Sequence, residues 1–366
     1  MSAASTPALD AVLARGVSDG VAPLMRLEVF HRGAHVLSAG NAGAGCVFDL
    51  ASVTKVMCTT ALVLDQQLAT ESPIQRFLPT AAVDATLLDL LFHRSGLPPY
   101  LCYFEDELRA HAALRTEAPE VELRARVRTS VIDRACRTAP TAENGVAAVY
   151  SDIGFILLGA ALETASGSPL DRLFTSRIAT PLGLSAGFRR ISATLPLPTE
   201  LATTQVDRPR EPAPGQEGMW SLASTKGPHG QVDDDNAFCM DGVSGHAGLF
   251  GTALDVAKFG QAVLEERFLP SVPWGPDAAT KGSTRAVGFD TPGADAPSPG
   301  TRFGRKGPRG AIGHLGFTGT SVWIDLDRQL VVALLTNRVA LGRANVKIRA
   351  FRPLVHDAVL DALSLE

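Results

Sequence analysis

Phe48-Asp-Leu-Ala-Ser52-Val-Thr-Lys55-Val-Met-Cys-Thr-Thr-Ala-Leu-Val-Leu64 is the stretch on which the fold turns. A polar loop passes here into an apolar helix, and Ser52 and Lys55 stand at the boundary with the spacing S-x-x-K. A serine at a first helical turn presents its hydroxyl beside backbone N–H groups that have no intrahelical partner. A side chain three residues on shares its face, so Lys55 is within reach of Ser52. Val56, Met57 and Ala61 to Leu64 bury the helix, and burial disfavours a charged amine, which makes Lys55 a candidate proton acceptor for a Ser52 nucleophile. Alone, S-x-x-K is short and degenerate, and chance explains most occurrences.

Working outward, the chain has 366 residues, more than the usual single-core size, and 45% hydrophobic content, enough for a sizeable core. The formal net charge of −4 and the lack of a basic block argue against nucleic-acid binding. The five cysteines are scattered and outside any CxxC pair, which excludes a disulfide framework and a zinc site and suits a reducing compartment. Neither a leader pattern nor an eighteen-residue apolar run is visible, so the expectation is a cytoplasmic protein without a membrane segment, exported only if the true start lies upstream.

Residues 8–17 read as an amphipathic helix. Leu27–His31 and His35–Ala39 alternate around Arg32-Gly33-Ala34 as a β-hairpin. From Leu62 to about Leu222 the pattern is mainly helical, with Leu108–Arg137 read as exposed helices, Ile153–Ala165 as an apolar helix ended by Gly167, and Pro196–Gly230 as an irregular connection. A helix over Ala253–Glu265 follows, then a Pro/Gly loop over Thr291–Gly310. The strands Thr320–Asp325 and Leu330–Thr336 and a C-terminal helix near Ala350–Leu363 close the chain. Strands at both ends and helices between predict an α+β fold: an antiparallel sheet from the N- and C-terminal segments, flanked by helices, with a large helical lobe inserted. The expected division of this single catalytic unit is 1–55 with 230–366 for the sheet, and 56–229 for the helical lobe.

Further motifs follow Ser52 and Lys55 in order. Tyr150-Ser151-Asp152 opens a second helix, where a tyrosine serves either as an aromatic cap or, with its pKa lowered by Lys55, as a general acid/base. Gly313-His314-Leu315-Gly316-Phe317-Thr318-Gly319-Thr320-Ser321 is a glycine-spaced strand entry, either a plain tight turn or an edge along which a substrate adds as a strand. Gly245-His-Ala-Gly-Leu-Phe250 reads as close backbone packing. In combination these motifs resemble the serine β-lactamase and penicillin-binding family, in its class C-like branch. Leu90-Leu-Phe-His-Arg-Ser-Gly-Leu-Pro98 looks like that family's LLTHTSGLP segment and Pro181-Leu-Gly-Leu184 like its PLGM turn. Val232-Asp-Asp-Asp-Asn-Ala237 looks like the VHDENA segment of a cell-wall-directed subgroup.

The resemblance implies a serine hydrolase with Ser52 as the acylated nucleophile, Lys55 as its proton partner and Tyr150 as the base. The N–H groups of Ser52 and Phe317 would form the oxyanion hole. Gly316, Thr318 and His93 would contact substrate, and His314 would tune Tyr150 or meet a substrate carboxylate. Two departures matter. Asp152 stands where β-lactamases have Asn, and a carboxylate only accepts hydrogen bonds, so it would keep Lys55 more protonated and could pair with a substrate amine. His-Leu-Gly replaces Lys-Thr-Gly, which removes a permanent cation. The expected substrate is therefore a small peptide, amide or ester, such as a cell-wall-derived or D-amino-acid peptide, ahead of penicillin. No cofactor is implied. His229, Asp233, Asp234, Asp235, Asp241 and His246 have ligand-type side chains but no metal-site spacing, so no metal is expected.

Overall fold

The computed structural model describes residues 5–104, 107, 120–193, 195–204, 230–267, 277, 280, 283–293, 298–305 and 307–365. Its main sheet is antiparallel and five-stranded, in the order β2-β1-β8-β7-β6. The strands are β1 (Met25–His31), β2 (Ala34–Gly40), β6 (Ala311–Leu315), β7 (Ser321–Asp325) and β8 (Leu330–Thr336). The two chain ends therefore build one sheet. A smaller sheet, β3 (Phe48–Asp49), β5 (Leu249–Gly251) and β4 (Gly187–Phe188), was not foreseen, because two- and three-residue strands carry no readable alternation.

The period of two in β8 shows why the sheet is covered on both sides. Leu330, Val332 and Leu334 pack with Leu9, Leu13, Phe351, Val355 and Val359 of the N- and C-terminal helices, Pro7–Ser18 and Ile348–Ala362. Val331, Ala333 and Leu335 face the opposite way, into the larger core with Val256, Phe259 and Val263 of the helix Ala253–Leu264. A strand buried on both faces reads as an unbroken apolar run, and burying each such side chain contributes about 1.5–3 kcal/mol.

The larger core continues without a break into the helical segment, around the helix Asp152–Ser166. Ser151 caps that helix by accepting from Gly154 N–H, and Gly167, at φ 66°, ends it. The helix Glu120–Arg137 is less exposed than the sequence suggested, since Leu123, Val127, Val131 and Ala135 recur at helical spacing and are buried. The rest of the Leu108–Arg137 reading, 108–119, and most of the Pro196–Gly230 connection, 205–229, lie outside the described residues, as does His229. Among the described residues no single helix is long and apolar enough to cross a membrane.

Candidate active site

The serine stretch turns sharply where it leaves β3. Ala51 has φ 46°, a left-handed conformation that costs a non-glycine residue about 1–2 kcal/mol. Asp49 holds the turn: one carboxylate oxygen accepts from Ala51 N–H at 2.8 Å and the other from Asp233 N–H at 2.7 Å. Burial, opposed by those two N–H groups and reinforced by the charges of Asp233 and Asp234, pushes the Asp49 carboxyl up to about 7. Past Ser52 the helix opens into a π-turn over Lys55–Thr60 before Ala61–Asp65 resumes α geometry. Such widened turns recur at functional sites.

Lys55 is wholly buried, and its Nζ donates to Ser52 Oγ at 3.0 Å and to the His246 carbonyl at 3.0 Å. The second bond explains the Gly245 motif. A Cβ on Gly245 would stand 2.1 Å from the Phe155 carbonyl, so only glycine lets this loop come close enough. The Asp152 carboxylate lies 2.7 Å from Lys55 Nζ. Burial works to lower the Lys55 pKa, but Asp152 and Tyr150 outweigh it and the net direction is upward. The expectation that burial would make Lys55 a proton acceptor is thus reversed by its neighbour: the resting lysine is a cation.

Tyr150 stands beside both Lys55 and Ser52, which act on its hydroxyl, with Lys55 Nζ 4.9 Å from its ring centroid. Its pKa also moves against expectation. Burial raises it, Lys55 pulls it down, Asp152 pushes it up again, and the net direction is upward. The resting tyrosine is a neutral phenol. His93 stacks on its far side, ring centroids 4.6 Å apart, and accepts from Ser151 N–H at Nδ1. His93 therefore supports Tyr150 from behind and is absent from the cleft lining, so the substrate contact expected of it is not made.

The third wall is β6, the edge of the main sheet. Asp290 already caps part of that edge, exchanging both backbone hydrogen bonds with Gly313. The open part begins at Leu315, which points the same way two residues on. Beyond it, Phe317 is 47% exposed, and neither its N–H nor that of Ser52 bonds to another described backbone group. Gly316 lines the cleft, yet a Cβ there would meet Thr320 Oγ1 at 2.0 Å and Leu50 O at 2.7 Å, so its bareness serves the join between strand and serine turn. Thr318 is buried and donates to the Asp49 carbonyl at 2.8 Å, which corrects its expected substrate contact.

His314 is buried and close to Tyr150, ring centroids 6.0 Å apart. Burial, with Lys55 and Arg285 nearby, holds its pKa well below the usual value. A neutral ring whose Nδ1–H donates to Leu315 O at 2.9 Å leaves Nε2 as an acceptor. An acceptor repels a carboxylate, so His314 does not supply the substrate-carboxylate contact. The cation beside Tyr150 is one the sequence reading missed: Arg285, 5.2 Å from the Tyr150 ring centroid and ion-paired with Asp290. Ser52, Tyr150, Asp152, Arg285 and His314 line one cleft of about 810 Å³, which runs on past Phe317 to Arg338 and the C-terminal helix. Asp234, also in its wall, is paired with His246 at 2.8 Å, and Asp233 with Arg343 at 2.7 Å. No metal-binding cluster occurs among the described residues.

A sequence-family profile described as Beta-lactamase matches residues 9–355. The chain belongs to the β-lactamase family. Within this family of serine hydrolases, it is 30% identical over 332 residues to an N-acetylmuramyl-L-alanine amidase of Bacillus subtilis, covering 80% of this chain and 68% of the relative. The solved D-amino acid amidase of Ochrobactrum anthropi SV3 superposes with a TM-score of 0.67 at 20% identity, over 97% of this β-lactamase-family chain and 98% of that one. EstCE1, a hydrolase with promiscuous acyltransferase activity, gives 0.64 at 22% identity, over 94% of this chain and 97% of that one. At these identities the two structures speak for the fold.

Proposed function

We propose that this hydrolase works through a covalent acyl-enzyme on Ser52 and cleaves an amide or ester, with a cell-wall-derived peptide or D-amino-acid peptide as its favoured substrate. The observation that carries the mechanism is the Lys55–Ser52 hydrogen bond of 3.0 Å with Tyr150 beside it, Lys55 Nζ lying 4.9 Å from the Tyr150 ring. Tyr150 first gives its phenol proton to solvent, and the phenolate, held beside the Lys55 ammonium, takes the Ser52 proton as Oγ bonds to the substrate carbonyl carbon. The oxyanion forms against the N–H groups of Ser52 and Phe317, a contribution of a few kcal/mol. Tyr150 then hands its proton to the departing amine or alkoxide, and a water deprotonated by Tyr150 releases the acyl group.

The amide preference rests on the kinship with an N-acetylmuramyl-L-alanine amidase. A fluorophosphonate probe followed by peptide mapping is expected to label Ser52, with no label on the Ser52→Ala protein. An unlabelled Ser52 in folded protein would overturn the mechanism. Turnover of muramyl peptides, p-nitrophenyl esters and a chromogenic cephalosporin ranks the substrate classes. Cephalosporin turnover matching that of the peptides would overturn the preference.

A further inference from the structure

Next to Lys55 lies a buried histidine–carboxylate pair to which the proposed chemistry gives no part. His246 is 1% exposed, and its ring is held at both nitrogens. Nε2 lies 2.8 Å from Asp234 Oδ1, and Nδ1 lies 2.8 Å from Ser244 Oγ. Burial works to raise the Asp234 carboxyl, but His246, the Ala237 N–H and Lys55 outweigh it and hold it well below the usual carboxylate range. An ionised carboxylate only accepts, so the proton between the two groups sits on Nε2.

The backbone of the same histidine meets the lysine. An ammonium has three donors, and three acceptors surround Lys55: Ser52 Oγ at 3.0 Å, Asp152 at 2.7 Å and the His246 carbonyl at 3.0 Å. That carbonyl sits in a segment with little hold of its own. Residues 245–247 make no backbone–backbone hydrogen bond among the described residues. Hydroxyls of the lysine's own helical stretch pin the two ends, Thr59 Oγ1 donating to Gly245 O at 2.6 Å and Leu249 N–H to Thr54 Oγ1 at 3.1 Å. The middle is pinned by the His246 ring. Its anchor, Asp234, is itself fixed as the cap of the helix Asp235–Cys239, accepting from Ala237 N–H at 2.7 Å. One residue earlier, Asp233 N–H holds Asp49 and with it the serine turn.

We propose that Asp234 and His246 are positioning residues for Lys55: the ring, anchored on the carboxylate, fixes the His246 carbonyl against Nζ and so aims the ammonium at Ser52. The inference rests on the proposed part of Lys55 in acylating Ser52. With the carbonyl displaced, a buried donor goes unmet and the lysine swings from its line to the serine, and small misplacements of a reacting group slow chemistry steeply. Two rival routes exist, because Asp234 lines the cleft and its charge acts on Lys55 through space. Asp49, Tyr100 and Arg343 also face its charge.

A double-mutant cycle separates these routes, read on the single-turnover burst with p-nitrophenyl acetate. Asp234→Asn keeps the helix cap, and His246→Leu keeps the ring's bulk without its hydrogen bonds. Each is expected to slow acylation roughly tenfold with KM within about twofold, and the double variant to be no slower than the slower single. His246→Gln should recover part of the rate, and replaces His246→Leu in the cycle if that protein does not fold. Additive losses, or full acylation in folded variants whose unfolding midpoint alone has dropped, would overturn the positioning role. If wild type fails to acylate Ser52, the catalytic reading falls, and carbon NMR of lysine-labelled Ser52→Ala protein decides the positioning by itself. The Lys55 Cε signal, assigned by its loss in Lys55→Arg, should move on adding His246→Gln. An unmoved signal would sink the proposal.

Discussion

Replacing Asp152 by Asn tests whether the carboxylate sets the protonation of the whole centre. At 2.7 Å and an effective dielectric of about 20, the Asp152–Lys55 attraction amounts to about 6 kcal/mol before any relaxation. Asn keeps the shape and an acceptor but removes that attraction, so charged Lys55 loses stabilisation and its pKa falls. The same carboxylate pushes Tyr150 upward, and its removal lowers Tyr150 as well. Both groups of the coupled pair therefore move toward acid. The assay is the pH dependence of the single-turnover burst with p-nitrophenyl acetate. The rising limb should shift toward acid in the Asp152→Asn protein by more than one pH unit. One unit corresponds to about 1.4 kcal/mol, so a smaller shift would mean that under a quarter of the attraction reaches the pair. An unmoved limb, or one displaced toward alkali, would refute the reasoning.

Two further outcomes are expected. Because Asp49 sits at about 7 in the fold and near 3.9 in an unfolded chain, its stabilising contribution is complete below about pH 4 and is lost as pH rises to about 7. Asp49→Asn should flatten the pH dependence of the unfolding midpoint over that window; an unchanged slope counts against it. At Gly313 a Cβ would stand 2.4 Å from the Trp323 indole, so Gly313→Ala should cost about 1–3 kcal/mol in urea unfolding, and a neutral substitution would contradict the packing.

Much of this was legible in the sequence because it rests on periodicity and local chemistry. The double burial of β8 follows from its unbroken apolar run, and the two helix starts beside Ser52 and Tyr150 follow from the apolar runs behind them. That Asp152 would hold Lys55 charged was readable from the donor inventory of a carboxylate. The net direction at Tyr150 was not, since it depends on how much burial opposes Lys55. Arg285 and Asp290 sit in irregular chain, where no period marks which side chain turns inward. Thr318 was expected as a substrate contact from the family resemblance alone, yet the fold uses its hydroxyl to tie the turn after β6 to the serine stretch.

The cap that Asp290 places on Gly313 also bears on how this protein behaves in company. An uncovered strand edge is adhesive toward any extended chain, and a centre built beside one risks recruiting a second molecule. With Gly313 occupied, the part of β6 open at the cleft begins at Leu315. That is enough for a ligand to register against Leu315 and Phe317, and too short to template a foreign strand. A single backbone pairing thus limits how much of the β6 edge is left to any partner.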